Sequence, residues 1–134
     1  MKVLYIDDDA DTRYLMRELL ADAGKEVLRI EWQDASGVEE ALELNGTEPF
    51  DAVLVDNRLG GRPGVDQVGR LRDRWRCPVW VVSGVPTRAL EEQAVAAGAE
   101  GLLSKDELLA DGRSLSQAIV RIIVRMKEAH AGGS

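Results

Sequence analysis

The sequence holds a single cysteine, Cys77, and a single histidine, His130. One thiol excludes an internal disulfide and a thiolate metal cluster, and no His/Cys ligand set exists for zinc. Cys77 precedes Pro78 at an expected strand start and reads as a small, partly buried thiol rather than a reactive one. His130 lies near the end of the sequence and is not expected to be catalytic. No apolar run approaches the roughly 20 residues of a membrane span. The first residues carry no signal-peptide pattern, so the chain is expected to be cytoplasmic. Positive charge is also short: 17 Lys and Arg stand against 24 Asp and Glu, a net charge of −7. Nucleic-acid binding needs clustered cations to neutralise phosphates and is not expected. The acidic surplus reads as solvated helix faces that favour solubility. Internal repeats and low-complexity segments are missing as well.

What is present is an alternation of strand-like and helix-like segments along 134 residues, a length suited to one domain. Lys2 to Ile6 is a short apolar strand. Asp11 to Ala23 carries Leu15, Met16, Leu19, Leu20 and Ala23 at helical spacing, with Gly24 as C-cap. Val27 to Trp32 reads as an edge strand, and Ser36 with Glu40 as a capping box for a helix from Gly37 to Leu44. Ala52 to Val55 is apolar on both sides, as a central parallel strand should be. Gly60, Gly61, Pro63 and Gly64 suggest a loop before a helix from Val65 to Trp75. Pro78 to Val82 is a fourth strand. Pro86-Thr87 opens a helix to about Ala97, and Glu100 to Ser104 is a fifth strand. A short turn over Asp106 to Leu109 precedes a last helix at about Leu115 to Ala129. Trp32, Trp75 and Trp80 are taken as packing residues.

Five βα units with right-handed crossovers give an α/β fold, a (βα)5 doubly wound parallel sheet of flavodoxin-like type with strand order 2-1-3-4-5. The expected boundaries are a single domain over 1–129 and a flexible tail over 130–134. In such sheets sites lie beyond the carboxyl ends of the strands, at the switch point between the first and third. There the strands end in Asp7-Asp8-Asp9, Asp56, Ser83-Gly84 and Lys105. Helix capping accounts for one of the three adjacent carboxylates. The mutual repulsion of all three suggests a cation, and Mg²⁺ favours oxygen ligands. Asp56 at the end of a buried strand caps a loop on the structural reading. On the functional one it is a nucleophile toward a phosphoryl donor. Ser83 is an ST-turn serine or a donor to a phosphoryl oxygen. Lys105 pairs with Asp56 or Asp8, and that pairing is compatible with transfer to a phosphoryl group.

Ile6-Asp7-Asp8-Asp9, Val55-Asp56, Val82-Ser83-Gly84 and Ser104-Lys105 resemble, in order and spacing, the motifs of the receiver domain of two-component response regulators, of the chemotaxis-regulator-like kind. Ala97-Gly98-Ala99-Glu100-Gly101 is similar to the family's turn before the fifth strand. The resemblance covers about residues 1 to 128. It implies a signalling module rather than an enzyme, with Asp56 as phosphoacceptor and a phosphohistidine on a sensor histidine kinase or histidine phosphotransfer protein as donor. It implies Mg²⁺ (or Mn²⁺) held by Asp8, Asp56 and the backbone carbonyl of Arg58, with Asp7 supporting. Ser83 and Lys105 would hold the phosphoryl group. Output would pass through the surface of the fourth helix, fifth strand and last helix, toward a homodimer partner or a downstream domain. No nucleic acid or membrane is expected as partner.

Leu102 stands where the family often has a switch Tyr or Phe, so aromatic rotation is not expected as the readout. Asp106 replaces a proline that usually follows the lysine, which predicts a trans bond and a different loop. Gly60 stands where proline is common and predicts a more flexible loop. Arg58 and Val85 occupy positions that tune acyl-phosphate lifetime in the family. In the last helix Leu115, Ile119, Ile122, Ile123 and Met126 form a core-facing stripe. Val120 and Val124 widen it, either into a deeply buried helix or into a contact surface for self-association. The alternatives are a phosphorylation-independent pseudo-receiver, an aspartyl-phosphate hydrolase with Asp7 or Asp9 as nucleophile, and a flavodoxin-like cofactor binder. The hydrolase needs a cap domain for which the chain lacks room, and no phosphate-cradling loop follows the first strand for the cofactor binder.

Overall fold

The computed structural model describes residues 2–23, 31–44, 50–110, 117–122 and 124. Its frame is a five-stranded parallel sheet: β1 (Lys2–Ile6), β2 (Glu31–Ala35), β3 (Ala52–Asp56), β4 (Val79–Ser83) and β5 (Gly101–Ser104). The strands lie in the expected order 2-1-3-4-5. β1 and β3 are neighbours, with Ile6 beside Val55, and Asp56 of β3 lies beside Val82 of β4. Helices α1 (Ala10–Ala23), α2 (Val38–Leu42), α3 (Val68–Trp75), α4 (Arg88–Ala96) and α5 (Lys105–Ala110) follow the strands in turn, and residues 117–122 are helical.

The central strands β3 and β4 are buried at every position and apolar up to their last residues, Asp56 and Ser83, because both faces are covered. On one face Leu4, Ile6, Val53, Val55, Val79 and Val81 pack with Val38 and Ala41 of α2, Val68 and Leu71 of α3 and Ala94 of α4. On the other, Val3, Tyr5, Leu54, Val82 and Leu103 pack with Met16 and Leu20 of α1, Leu108 of α5, and Ile119 and Ile122. Trp32 stacks at a tilt on Tyr5, with ring centroids 5.6 Å apart, Trp75 meets Phe50 edge-on at 5.2 Å, and Trp80 is buried. All three serve packing, as expected. Thr87 caps α4, its hydroxyl accepting the Leu90 N–H at 3.1 Å.

Several elements differ from the sequence expectation. The described part of β2 runs on to Ala35; Val27 and its neighbours lie outside the described residues, as do Gly24, Leu115, Ile123 and Met126. Leu15, expected on the core stripe of α1, is 43% exposed, because Met16 and Leu20 take the inward positions. α2 begins at Val38, with Gly37 as N-cap and no side-chain cap. Glu40 still reaches back to Ser36, accepting from its backbone N–H at 3.0 Å and from its hydroxyl. The region expected as a loose loop is a hairpin, Arg58–Leu59 paired with Arg62–Pro63 across Gly60-Gly61. It runs into a 3-10 turn over Gly64–Gln67. The expected turn over Asp106 to Leu109 is part of α5, which starts at Lys105 with no connecting residue after β5. Ser104 supports that start, its hydroxyl oxygen lying 3.4 Å from the Glu107 N–H. Among the described residues no peptide bond is cis, so the Lys105–Asp106 bond is trans, as expected.

Candidate functional site

β3 ends in Asp56, and β1 and β5 run directly into Asp7 and Lys105; the parallel register carries these ends to one edge of the sheet. Carboxylate oxygens of Asp7, Asp8 and Asp56 lie within 4.8 Å of one another. Lys105 Nζ stands 2.8 Å from Asp7 Oδ2 and 3.4 Å from Asp56 Oδ2. Three of the four predicted acidic and basic centres are thus in direct ion-pair contact, and Asp8 completes the group.

The three adjacent aspartates have three different environments. Asp7 is fully buried. Its Oδ2 accepts from the Tyr5 hydroxyl at 2.6 Å as well as from Lys105, and its Oδ1 accepts from the Asp9 N–H at 2.9 Å. Its backbone carbonyl takes a guanidinium N–H of Arg13 at 2.6 Å. Asp8 is exposed, and Oδ2 accepts the Gly60 N–H at 2.9 Å. Asp9 turns away to cap α1, accepting from the Asp11 N–H at 3.1 Å and the Thr12 hydroxyl at 2.7 Å. The Thr12 hydrogen bond holds its carboxyl below the usual carboxylate range. Capping therefore explains one aspartate of the three, and that one is Asp9.

Asp56 is 3% exposed. Burial and the adjacent charge of Asp7 push its carboxyl up to about 6, against the opposing pull of Lys105. Burial alone would lower the ammonium of Lys105. The hydrogen bond to Asp7 and the charge of Asp56 outweigh it and hold the group above its ordinary value. The Tyr5 phenol is raised well above its usual range by burial and by Asp7, so it stays a neutral donor. Densely packed negative charge with one ammonium is an electrostatic deficit of cation. The oxygen-only, two- or three-carboxylate donor set fits a hard divalent ion.

The loop after Asp56 is fixed by backbone bonds. Asn57 donates its N–H to Val82 at 2.8 Å, its carbonyl accepts from Gly64 at 2.8 Å, and its side-chain oxygen accepts from Val65 at 3.2 Å. A Cβ on Gly64 would sit 2.1 Å from the Asp56 carbonyl oxygen, so only glycine fits. Gly60, at φ +58°, forms the hairpin turn and donates to Asp8; a proline there would have no N–H to give. The hairpin holds Arg58 two residues beyond Asp56, its side chain exposed. Ser83 is buried at the end of β4, and its hydroxyl oxygen accepts the Val85 N–H at 3.1 Å, the ST-turn geometry. Val85 is 67% exposed beside it. Tyr5, Asn57 and Gly64 were not expected as site residues. Only Tyr5 left a signal, standing two residues before Asp7 and hence on the same pleat.

The family profile described as the response regulator receiver domain matches residues 3–119. The response regulator protein PilR of Pseudomonas aeruginosa is 32% identical over 122 residues, 90% of this chain and 26% of its own length. The transcriptional regulatory protein PdtaR of Mycobacterium tuberculosis is 29% identical over 130 residues, 97% of this chain and 60% of its own length. The chain therefore spans between a quarter and three fifths of these relatives. A crystal structure of a response regulator from Burkholderia pseudomallei is 25% identical with a TM-score of 0.72, covering 99% of this chain and 72% of that one. That protein carries a phosphorylated aspartic acid and a calcium ion. The chain belongs to the response regulator receiver domain family and is a receiver of the two-component signalling type. No helix among the described residues is long and apolar enough to cross a membrane.

Proposed function

We propose that Asp56 is the phosphoacceptor of this receiver and that the chain is a phospho-switch rather than an enzyme. The observation that carries the reading is the Asp56 carboxylate at the end of the central strand, within 4.8 Å of Asp7 and Asp8 and 3.4 Å from Lys105. An oxygen of Asp56 attacks the phosphorus of a phosphohistidine, the P–N bond breaks, and the imidazole nitrogen keeps the electron pair. The donor is a sensor histidine kinase or a histidine phosphotransfer protein. Asp8, Asp56 and the Arg58 carbonyl would hold a divalent cation, Mg²⁺ or Mn²⁺, whose charge would offset that of the incoming group. Lys105 moves part of its hydrogen bonding from Asp56 to a phosphoryl oxygen. Ser83, whose oxygen accepts from Val85, has its hydroxyl proton to donate to the same group.

The receiver includes residues 3–119, the stretch that the family profile matches, and works in the cytoplasm. Its output surface is made by α4, β5 and the last helix. Leu102 is partly buried there, and Val124 is 47% exposed. That apolar surface takes a second copy or a downstream domain. Sedimentation as a monomer at high concentration in both phosphorylation states would exclude the second copy.

The deciding experiment is intact-mass spectrometry after incubation with Mg²⁺ and acetyl phosphate. A gain of about 80 Da, lost in Asp56→Asn and lost without Mg²⁺, is expected for a single phosphoryl group. No gain with either acetyl phosphate or a kinase donor would make the chain a pseudo-receiver.

A further inference from the structure

Asp7 and Asp8 are adjacent carboxylates, yet their hydrogen-bonding capacity is spent very differently. An ionised carboxylate offers about four lone-pair sites. On Asp7, Oδ2 receives two donors, the Tyr5 hydroxyl at 2.6 Å and Lys105 Nζ at 2.8 Å, and Oδ1 receives the Asp9 N–H at 2.9 Å. On Asp8 the donor found among the described residues is the Gly60 N–H at 2.9 Å. Asp7 is fully buried and Asp8 exposed. Tyr5 is itself fully buried, in one apolar cluster with Val3, Met16 and Leu54 and with its ring against Trp32, and that packing directs its hydroxyl to Asp7.

We propose that Tyr5 is a positioning residue: its hydroxyl anchors Asp7 in the protein interior and keeps that carboxylate out of the inner coordination sphere of a cation bound by Asp8 and Asp56. The inference rests on the cation site proposed above. A neutral phenol suits the task. It satisfies a buried oxygen without adding a positive charge that would repel the ion, whereas a second ammonium would. Asp7 then acts at one remove, holding Lys105 beside Asp56. Without the hydroxyl, the buried oxygen is left short of a donor and the carboxylate gains by moving onto the cation.

The test is calorimetric titration of MgCl₂ into wild type, Tyr5→Phe and Asp8→Asn, with melting curves of each. Tyr5→Phe keeps the ring and is expected to bind Mg²⁺ about three- to tenfold more tightly, the direction opposite to that of a damaged site. Asp8→Asn is expected to lose binding. Equal or weaker Mg²⁺ binding by Tyr5→Phe, with Asp8→Asn behaving as expected, overturns the role of Tyr5 and leaves the site reading standing. No binding by wild type overturns both. Should Tyr5→Phe fold poorly, 3-fluorotyrosine labelling of the wild-type sequence decides. The chain has two tyrosines, and the second, Tyr14, is 66% exposed. The Tyr5 fluorine resonance is expected to move on Mg²⁺ addition while that of Tyr14 stays; an unmoved Tyr5 resonance overturns the proposal.

Discussion

The two faces of the central sheet are built from the same strands, one residue out of phase, and they end in different chemistry. On the α2–α4 face, Leu4 and Ile6 of β1 and Val53 and Val55 of β3 are apolar to the end. Continued by alternation, that series reaches exposed Asp8, then Asn57. On the α1–α5 face, Val3 and Tyr5 lead to Asp7, and Ala52 and Leu54 lead to Asp56, both carboxylates almost wholly out of water. A strand turns one side chain to each face in turn. Neighbouring aspartates were therefore assigned opposite environments by parity alone. The buried series holds the ion-paired groups, and the exposed one presents a carboxylate with open valence at the rim.

The comparison predicts equal apolar cost on the two faces. Leu4→Ala and Leu54→Ala should each lose about 2–5 kcal/mol in urea unfolding, since both side chains are buried within packed clusters. A marked inequality would mean that one face carries the fold. The polar ends should then differ in sign. In the metal-free protein Asp56 has its carboxyl raised from 3.8 to about 6 by burial and by Asp7. A raised carboxylate contributes stability that is complete below the unfolded value and is lost as pH rises through the folded one. Asp56→Asn should therefore be more stable than wild type at pH 7, by roughly 2–3 kcal/mol at about 1.4 kcal/mol per unit. The gap should close as pH falls toward 4. Chemical denaturation in EDTA across that range measures it, and a pH-independent difference would contradict the burial argument.

Gly64→Ala comes next, at about 1–3 kcal/mol, because the added methyl meets the Asp56 carbonyl and the loop must shift. Phosphorylation should slow in the same variant, which mass spectrometry would follow. The smallest stability effect belongs to Asp8→Asn. Its metal-free melting curve should overlay that of wild type, while the rise in melting temperature on adding Mg²⁺ is lost. A destabilised Asp8→Asn would show that the exposed carboxylate serves the fold as well as the ion.

Much of this arrangement was legible in the sequence. Apolar runs closing in Asp7-Asp8-Asp9, Asp56, Ser83 and Lys105 located the strand ends, and crossover handedness ordered the sheet. Asp7, Asp8, Asp56 and Lys105 are brought together as the topology required. The illegible parts are those decided by tertiary contact. The hairpin over residues 58–63 has two-residue strands, too short for any period to register. The need for glycine at position 64 comes from a carbonyl eight residues earlier in the chain, and nothing local announces it. Leu15 matched the helical stripe but lies outside the arc that Met16 and Leu20 bury. Tyr5 was read as one more apolar strand residue, although the alternation that placed Asp7 also placed its hydroxyl beneath it.

The direct passage from β5 into α5 sets where this domain can change length. Lys105 is both the partner of the acidic group and the first residue of α5, and Leu108 one turn on is buried. Inserting one residue between Ser104 and Lys105 would turn the helix by about 100° relative to the strand, so either the ammonium or the leucine would lose its place. The Gly60-Gly61 turn carries no such double duty beyond one backbone N–H. Loop grafts and tags therefore belong near Gly61, and the junction at residues 104 and 105 is a place where natural or engineered indels should not survive.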